Sequence, residues 1–311
     1  MQTDTLLFTG NANPSLAAAI AAELHIPLAA CAVERFPDGE ISVRLDTSVR
    51  GQEVFLLQST APPVNEHLME LLLLADACRR AAARQITAIV PYFGYARADK
   101  RQGRREPITA SMVAHLLQQV GIGQVLTLDL HTAQIEGFFH IPVDSLTAVP
   151  ILAGAARPLL PERFVVVSPD TGRVRMATEY AHRLGAPVVV LHKQRESGTQ
   201  TEVTHIVGEV RDQMCLIVDD MISTGGTLAR SVEALLQAGA RRDVVVAATH
   251  GVFIAGARER LSHPGLRAIL VTDSISVRIQ DWPQLHVISV APLLAAAIQQ
   301  LMANGSLKGM V

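Results

Sequence analysis

Short runs rich in β-branched residues alternate with helical patterns through most of the chain, at residues 86–90, 124–128, 164–167, 187–191, 215–218, 244–247, 268–271 and 286–290. Runs of this kind pair in parallel when helices cover both faces of a sheet, so the spacing predicts an α/β protein made of βα units around mainly parallel sheets. The helices are legible as well. In 66–84, Asn65 stands at a capping position, Leu68, Leu71, Leu72 and Ala75 share a face, and Arg79, Arg80 and Arg84 fall at the negative end of the dipole. Residues 109–119 follow Pro107, place Met112, Val113, Leu116, Leu117 and Val120 on one side, and meet a stop at Gly121. Both helices read as scaffold.

A chain of 311 residues is long enough for two domains with separate cores. The pattern weakens between 140 and 162, where Pro142, Pro150, Gly154, Pro158 and Pro161 cluster, so the boundary is expected near 148, giving domains 1–147 and 148–311. The two halves share a strand, loop and helix rhythm that fits two copies of one fold. With 49% hydrophobic and 18% charged residues the chain should fold, and a net charge of −2 supplies no global field for nucleic acid or an anionic membrane. Any phosphate site must therefore be local. The apolar tract 287–298 is broken by Ser289 and Pro292 and falls short of the roughly 20 residues that span a bilayer. Stretch 15–32 lacks a basic leader and carries Glu23, His25 and Pro27, so an alanine-rich helix is expected there in place of a secretory peptide. Cys31, Cys78 and Cys215 show no metal or disulfide spacing, which suits a reducing, cytoplasmic setting.

The sharpest chemical signal is Cys215-Leu216-Ile217-Val218-Asp219-Asp220-Met221-Ile222-Ser223-Thr224-Gly225-Gly226-Thr227, followed by a helical pattern through Ala238. An apolar strand delivers two carboxylates to its C-terminal edge, where open α/β sheets bind ligands. The hydroxyl- and glycine-rich loop lets backbone N–H groups approach a phosphate at a helix start. Ser223, Thr224, Gly225, Gly226 and Thr227 are candidates for the phosphate, and Asp219 and Asp220 for sugar hydroxyls, directly or through Mg²⁺. An ordinary acidic βα turn is the plainer reading. No Gly-x-x-x-x-Gly-Lys-Ser/Thr is present in this segment, which disfavours a nucleotide P-loop.

Beyond this loop the chain resembles the ribose-phosphate pyrophosphokinase family nearly end to end. The matching segments are Phe36-Pro37-Asp38-Gly39-Glu40, Pro63-Val64-Asn65-Glu66, Tyr95-Ala96-Arg97, Arg105-Glu106-Pro107-Ile108-Thr109, Leu128-Asp129-Leu130-His131, Val167-Ser168-Pro169-Asp170 and the loop above. The resemblance implies two phosphoribosyltransferase-like domains with an active site between them, and synthesis of phosphoribosyl pyrophosphate (PRPP) and AMP from ATP and ribose 5-phosphate. It further implies that Phe36, Asp38, Gly39 and Glu40 contact adenine from a neighbouring subunit, so a homo-oligomer, hexameric or dimer-based, is expected. Arg97, with Ala98 beside it, would hold ATP phosphates, a task suited to a guanidinium fork. His131 and Asp170, each ending an apolar run, would lie at the Mg²⁺–ATP site, with Asp170 the better ligand for a cation that prefers oxygen.

Lys193 and Arg195 follow the run 187–191, and 196–200 reads as a mobile loop. The two cations could simply face water. The resemblance makes them catalytic candidates, because diphosphoryl transfer concentrates charge on phosphate oxygens, and gives Arg195 a share in binding ribose 5-phosphate.

The chain departs from the family pattern at Ser223, where an acid is common, at Ala98, where glutamine is, and at Arg173, where glycine is. Ala133 and the tail Ser306-Leu307-Lys308-Gly309 also lack hydroxyls found in regulated members, which puts phosphate and ADP regulation in doubt. Two rival readings stand beside the enzyme: a phosphoribosyltransferase that consumes PRPP, and a catalytically silent regulatory subunit of a PRPP synthetase complex.

Overall fold

Parallel strands covered on both faces lose all contact with water, and runs such as Phe164–Ser168 and Val244–Gly251 are accordingly buried at every position. The computed structural model describes residues 5–101, 103–195, 202–277 and 281–311. These form two units: Met1–Thr147 with Ser274–Ser276 and Ser289–Val311, and Ala148–Asp273 with Val277–Ile288.

The first unit contains β1 (Thr5–Thr9), α1 (Pro14–Leu24), β2 (Cys31–Arg35), β3 (Ile41–Leu45), β4 (Glu53–Leu57), α2 (Val64–Arg80), β5 (Gln85–Val90), α3 (Thr109–Gln119), β6 (Gln124–Leu128) and β7 (Val143–Leu146). Its main sheet is parallel throughout, in the order β1-β4-β5-β6-β7. β2 and β3 form a separate antiparallel hairpin that packs on α2, where the Arg35 Nη1 to Glu66 Oε2 ion pair of 2.9 Å ties it down. α1 begins as its sequence dictates: Asn13 accepts a hydrogen bond from the Leu16 N–H, and Pro14 takes the first turn. α2 differs from expectation at both ends. It starts at Val64 with no side-chain cap, Asn65 instead accepting from the Tyr95 hydroxyl, and it stops at Arg80, because Ala82 adopts a left-handed φ of 63°. The core here joins Phe8, Leu56, Leu71, Leu74, Val90, Val113 and Leu117.

The second unit contains α4 (Val149–Ala156), β8 (Phe164–Ser168), α5 (Val174–Leu184), β9 (Val188–Arg195), β10 (Glu202–Val207), β11 (Met214–Ile222), α6 (Gly226–Gln237), β12 (Val244–Gly251), α7 (Ala257–Leu261), β13 (Leu266–Thr272) and β14 (Leu285–Ile288). The sheet order is β10-β9-β8-β11-β12-β13-β14, parallel except for the β9–β10 pair. The chain leaves β8 toward β9 on one side and returns to β11 on the other. That reversal opens a crevice at the carboxyl ends of β8 and β11. Beneath it, Val167, Ile217, Val246, Ile269, Leu235 and Trp282 share one core.

α8 (Ala291–Met302) belongs with the first unit, so a second domain running unbroken to 311 is not what contact within the chain gives. The reason is apolar burial: α8 packs beside α1, Leu294 and Ile298 are fully buried, and the Thr147 N–H donates to the Met310 carbonyl at 2.8 Å. No helix among the described residues is long and apolar enough to cross a membrane. Leu294→Ala should therefore cost the first unit about 2–5 kcal/mol through the cavity it leaves. Thermal unfolding measures this, and an unchanged midpoint would contradict the docking of α8.

Candidate active site

The crevice of the second unit is built from the ends of two adjacent strands. After β8, the Asp170 side chain caps a single 3₁₀ turn, Thr171–Arg173, its Oδ1 accepting from the N–H groups of Gly172 at 2.8 Å and Arg173 at 3.2 Å. This turn delivers the Arg173 side chain to β11, where Nε lies 3.3 Å from Asp219 Oδ1 and 3.2 Å from Asp220 Oδ1. The three side chains are secluded: Arg173 and Asp219 are each 13% exposed and Asp220 2%. The aspartates fall inside β11 and not beyond it, because the strand continues past 218 to Ile222. Asp219 Oδ1 also accepts from the Asp220 N–H at 2.9 Å.

Burial pushes the Asp219 carboxyl well above its ordinary value of 3.8; the Asp220 charge and hydrogen bond add to the push, and Arg173 opposes it. A group raised in this way holds a proton in the folded state that the unfolded chain releases. Its contribution to stability is complete below the ordinary value and is lost as pH rises toward the raised one. Asp219→Asn, which leaves Asp220 to pair with Arg173, should remove that loss. Wild-type thermal midpoints between about pH 4 and pH 8 should fall away from those of D219N as pH rises, and parallel profiles would contradict it.

The loop 223–225 follows directly, and α6 begins at Gly226. Gly225, at φ 75°, is required by the fold: a Cβ there would stand 2.8 Å from Leu261 Cγ. Gly226 is not so constrained, since a Cβ would meet nothing closer than 3.5 Å. Its bare Cα leaves the helix N-terminus open to an approaching ligand. Thr224 Oγ1 accepts from the Gly226 N–H at 3.3 Å, and Arg260 Nη1 donates to the Thr224 carbonyl at 3.1 Å, so the loop is held from α7. Ser223 and Thr227 are half-buried at its two ends.

In the first unit, Phe36, Asp38, Gly39 and Glu40 form the turn of the β2–β3 hairpin. The Phe36 N–H donates to the Glu40 carbonyl at 2.8 Å, Asp38 Oδ1 accepts from the Glu40 N–H at 3.1 Å, and Gly39 takes φ 98°. Phe36 is 51% exposed, an aromatic ring without a cover. Arg97 is exposed and Ala98 half-buried in the loop after β5, whose backbone is tied to α3 by the Ala110 N–H to Ala98 carbonyl bond. His131 is half-buried in the loop after β6. Buried Asp99 joins these loops: its Oδ2 accepts from Thr132 Oγ1 at 2.7 Å and Gln134 Nε2 at 2.6 Å. Sequence reasoning passed over Asp99; a lone acid within the basic run 97–105 was the available signal.

Lys193 and Arg195 lie within β9, not after it, opposite Thr204 and Glu202 of β10. The expected loop 196–200 lies outside the described residues. Asp170 belongs to the second unit and His131 to the first. No group of three or more His, Cys, Asp or Glu suited to a metal occurs among the described residues. Mg²⁺ commonly takes one or two carboxylates and fills its shell with substrate phosphates and water, and Asp170, with Oδ1 committed to its turn and Oδ2 remaining, fits that donor set.

Residues 5–121 match the model for the N-terminal domain of ribose phosphate pyrophosphokinase, and 156–262 match the phosphoribosyl transferase domain. Ribose-phosphate pyrophosphokinase of Bradyrhizobium diazoefficiens is 42% identical over 98% of this chain and 96% of its own length. The Thermotoga maritima protein of the same name is 46% identical over 95% and 94%. The crystal structure of phosphoribosylpyrophosphate synthetase from Mycobacterium smegmatis aligns with a TM-score of 0.91 at 44% identity, covering 97% of this chain and 99% of that one. Identity at this level along the full length of two matched domains means that the chain belongs to the ribose-phosphate pyrophosphokinase family, enzymes that make PRPP.

Proposed function

We propose that in this chain Asp219, Asp220 and the loop Ser223, Thr224, Gly225, Gly226 and Thr227 hold ribose 5-phosphate, and that Phe36, Asp38, Gly39, Glu40, Arg97 and Ala98 hold ATP. The observation that carries the reading is the carboxylate pair beside an open helix N-terminus at the reversal of strand order. Hydroxyls donate to carboxylates, and phosphate accepts from N–H groups, so sugar and phosphate ends are told apart by chemistry.

The C1 hydroxyl of ribose 5-phosphate attacks the β-phosphorus of ATP. A new C1–O–P bond forms, the bond from the β-phosphorus to the oxygen bridging it to the α-phosphorus breaks, the hydroxyl proton is released, and AMP departs. Lys193 and Arg195 stabilise the charge that gathers on the phosphate oxygens, with Arg195 also touching ribose 5-phosphate. Kinase-type enzymes of this family usually need a divalent metal. Asp170, with His131 acting in part through water or phosphate, would hold Mg²⁺, which neutralises phosphate charge. Asp99 keeps the Arg97 and His131 loops in register.

We assign the exposed Phe36 hairpin to a neighbouring copy's adenine, which makes the enzyme a homo-oligomer, hexameric or dimer-based. A cytoplasmic setting suits three unbridged thiols. A silent regulatory subunit is not favoured, since Lys193, Arg195 and the aspartate pair are all present; nor is a phosphoribosyltransferase, since the N-terminal match is to the pyrophosphokinase domain.

Purified protein with ATP, ribose 5-phosphate and Mg²⁺ should yield AMP and PRPP in equal amounts. ADP without AMP would place attack at the γ-phosphorus and contradict the mechanism. Lys193→Ala or Arg195→Ala should lower kcat by at least ~10²-fold with little change in ATP affinity, the signature of lost transition-state charge stabilisation. Near-normal kcat would return both residues to a solvent-facing role.

A further inference from the structure

Asp219 and Asp220 are neighbours in one strand, where successive side chains normally point to opposite faces. Yet one guanidinium nitrogen, Arg173 Nε, lies within 3.3 Å of an oxygen of each. The arginine reaches them from a turn that another carboxylate, Asp170, holds by two N–H bonds, so its approach is fixed by the backbone. All three side chains are withdrawn from water. Two carboxylates buried side by side lose hydration, and even with a proton on Asp219 the pair keeps a buried negative charge that needs a cation. A guanidinium keeps its charge at every working pH and is less strongly hydrated than an ammonium, which makes it the protein cation best suited to such a place.

We propose that Arg173 is the resident counter-cation of the Asp219–Asp220 pair and stands in for a divalent cation there, so that ribose 5-phosphate binds these carboxylates without metal. This rests on the assignment of the pair to ribose 5-phosphate. Arg173 acts through the carboxylates it holds, as a positioning residue. It also accounts for an arginine at this point of the turn: the charge that the pair demands is built into the chain, and the metal requirement of the enzyme is left to the nucleotide.

Calorimetric titration of ribose 5-phosphate into the full-length protein, in EDTA and in Mg²⁺, tests this. Wild-type Kd should agree within ~3-fold between the two buffers. Arg173→Met should weaken binding at least ~30-fold in EDTA, the scale of removing one partner from a buried charge pair, and Mg²⁺ should restore most of it. Arg173→Lys should keep most of the EDTA affinity. Wild-type binding that needs Mg²⁺, or R173M binding in EDTA within ~3-fold of wild type, would overturn the proposal. If R173M does not fold, Arg173→Gln, which removes the charge and keeps hydrogen-bonding groups, carries the comparison: a loss in EDTA that Mg²⁺ reverses supports the proposal, and wild-type affinity in both buffers overturns it. Asp220→Asn separates the two levels. If D220N loses binding while R173M does not, the counter-cation alone is wrong; if D220N binds like wild type in both buffers, the assignment of the pair to ribose 5-phosphate falls as well.

Discussion

Two carboxylates at adjacent positions of a central strand, almost closed to water, are the feature that the second unit has to accommodate. Arg173 answers their charge at 3.2 and 3.3 Å, and it can do so because β8 and β11 are neighbours in a sheet whose strand order reverses between them. The turn after β8, capped by Asp170, and the carboxyl end of β11 therefore rise on the same edge. The anion cradle at the start of α6 follows from the same strand, three residues on. On the proposed assignment, sugar and phosphate recognition both follow from one topological reversal and one buried ion cluster.

The first unit solves a different problem, with hydrogen bonds to one buried carboxylate. Its loops after β5 and β6 carry Arg97, Ala98 and His131, and a buried aspartate, Asp99, joins them through a hydroxyl and an amide. The β2–β3 hairpin stands apart from the main sheet and leaves Phe36 uncovered. Arg35, the last residue before the turn, pairs with Glu66 of α2, so the turn end of the hairpin is held against that helix.

Much of this was legible in the sequence, for identifiable reasons. Strands with both faces covered write continuous apolar runs, and β5, β6, β8, β12 and β13 were found on that basis; α3 was bounded to the residue by Pro107 and Gly121. The hairpin strands escape because exposed charged residues, Glu34, Arg35 and Arg44, break the apolar run. β9 was cut short for the same reason: Lys193 and Arg195 look like loop residues, yet backbone pairing with β10 carries the strand through them. Apolar periodicity shows that a face of the C-terminal helix is buried without saying against what, and its contacts lie within the first unit. The acidic loop was evident from composition at a strand end, whereas the contact of Arg173 with both aspartates depends on strand order, which no local pattern encodes.

The most direct measurement is a crystal structure of the full-length protein with ribose 5-phosphate bound. The expected result has the 5-phosphate on the N–H groups of residues 224–227 and the ribose hydroxyls on Asp219 and Asp220. A sugar phosphate lodged elsewhere, with the Asp219–Asp220 pair making no contact to it, would contradict the assignment on which the account of this enzyme is built.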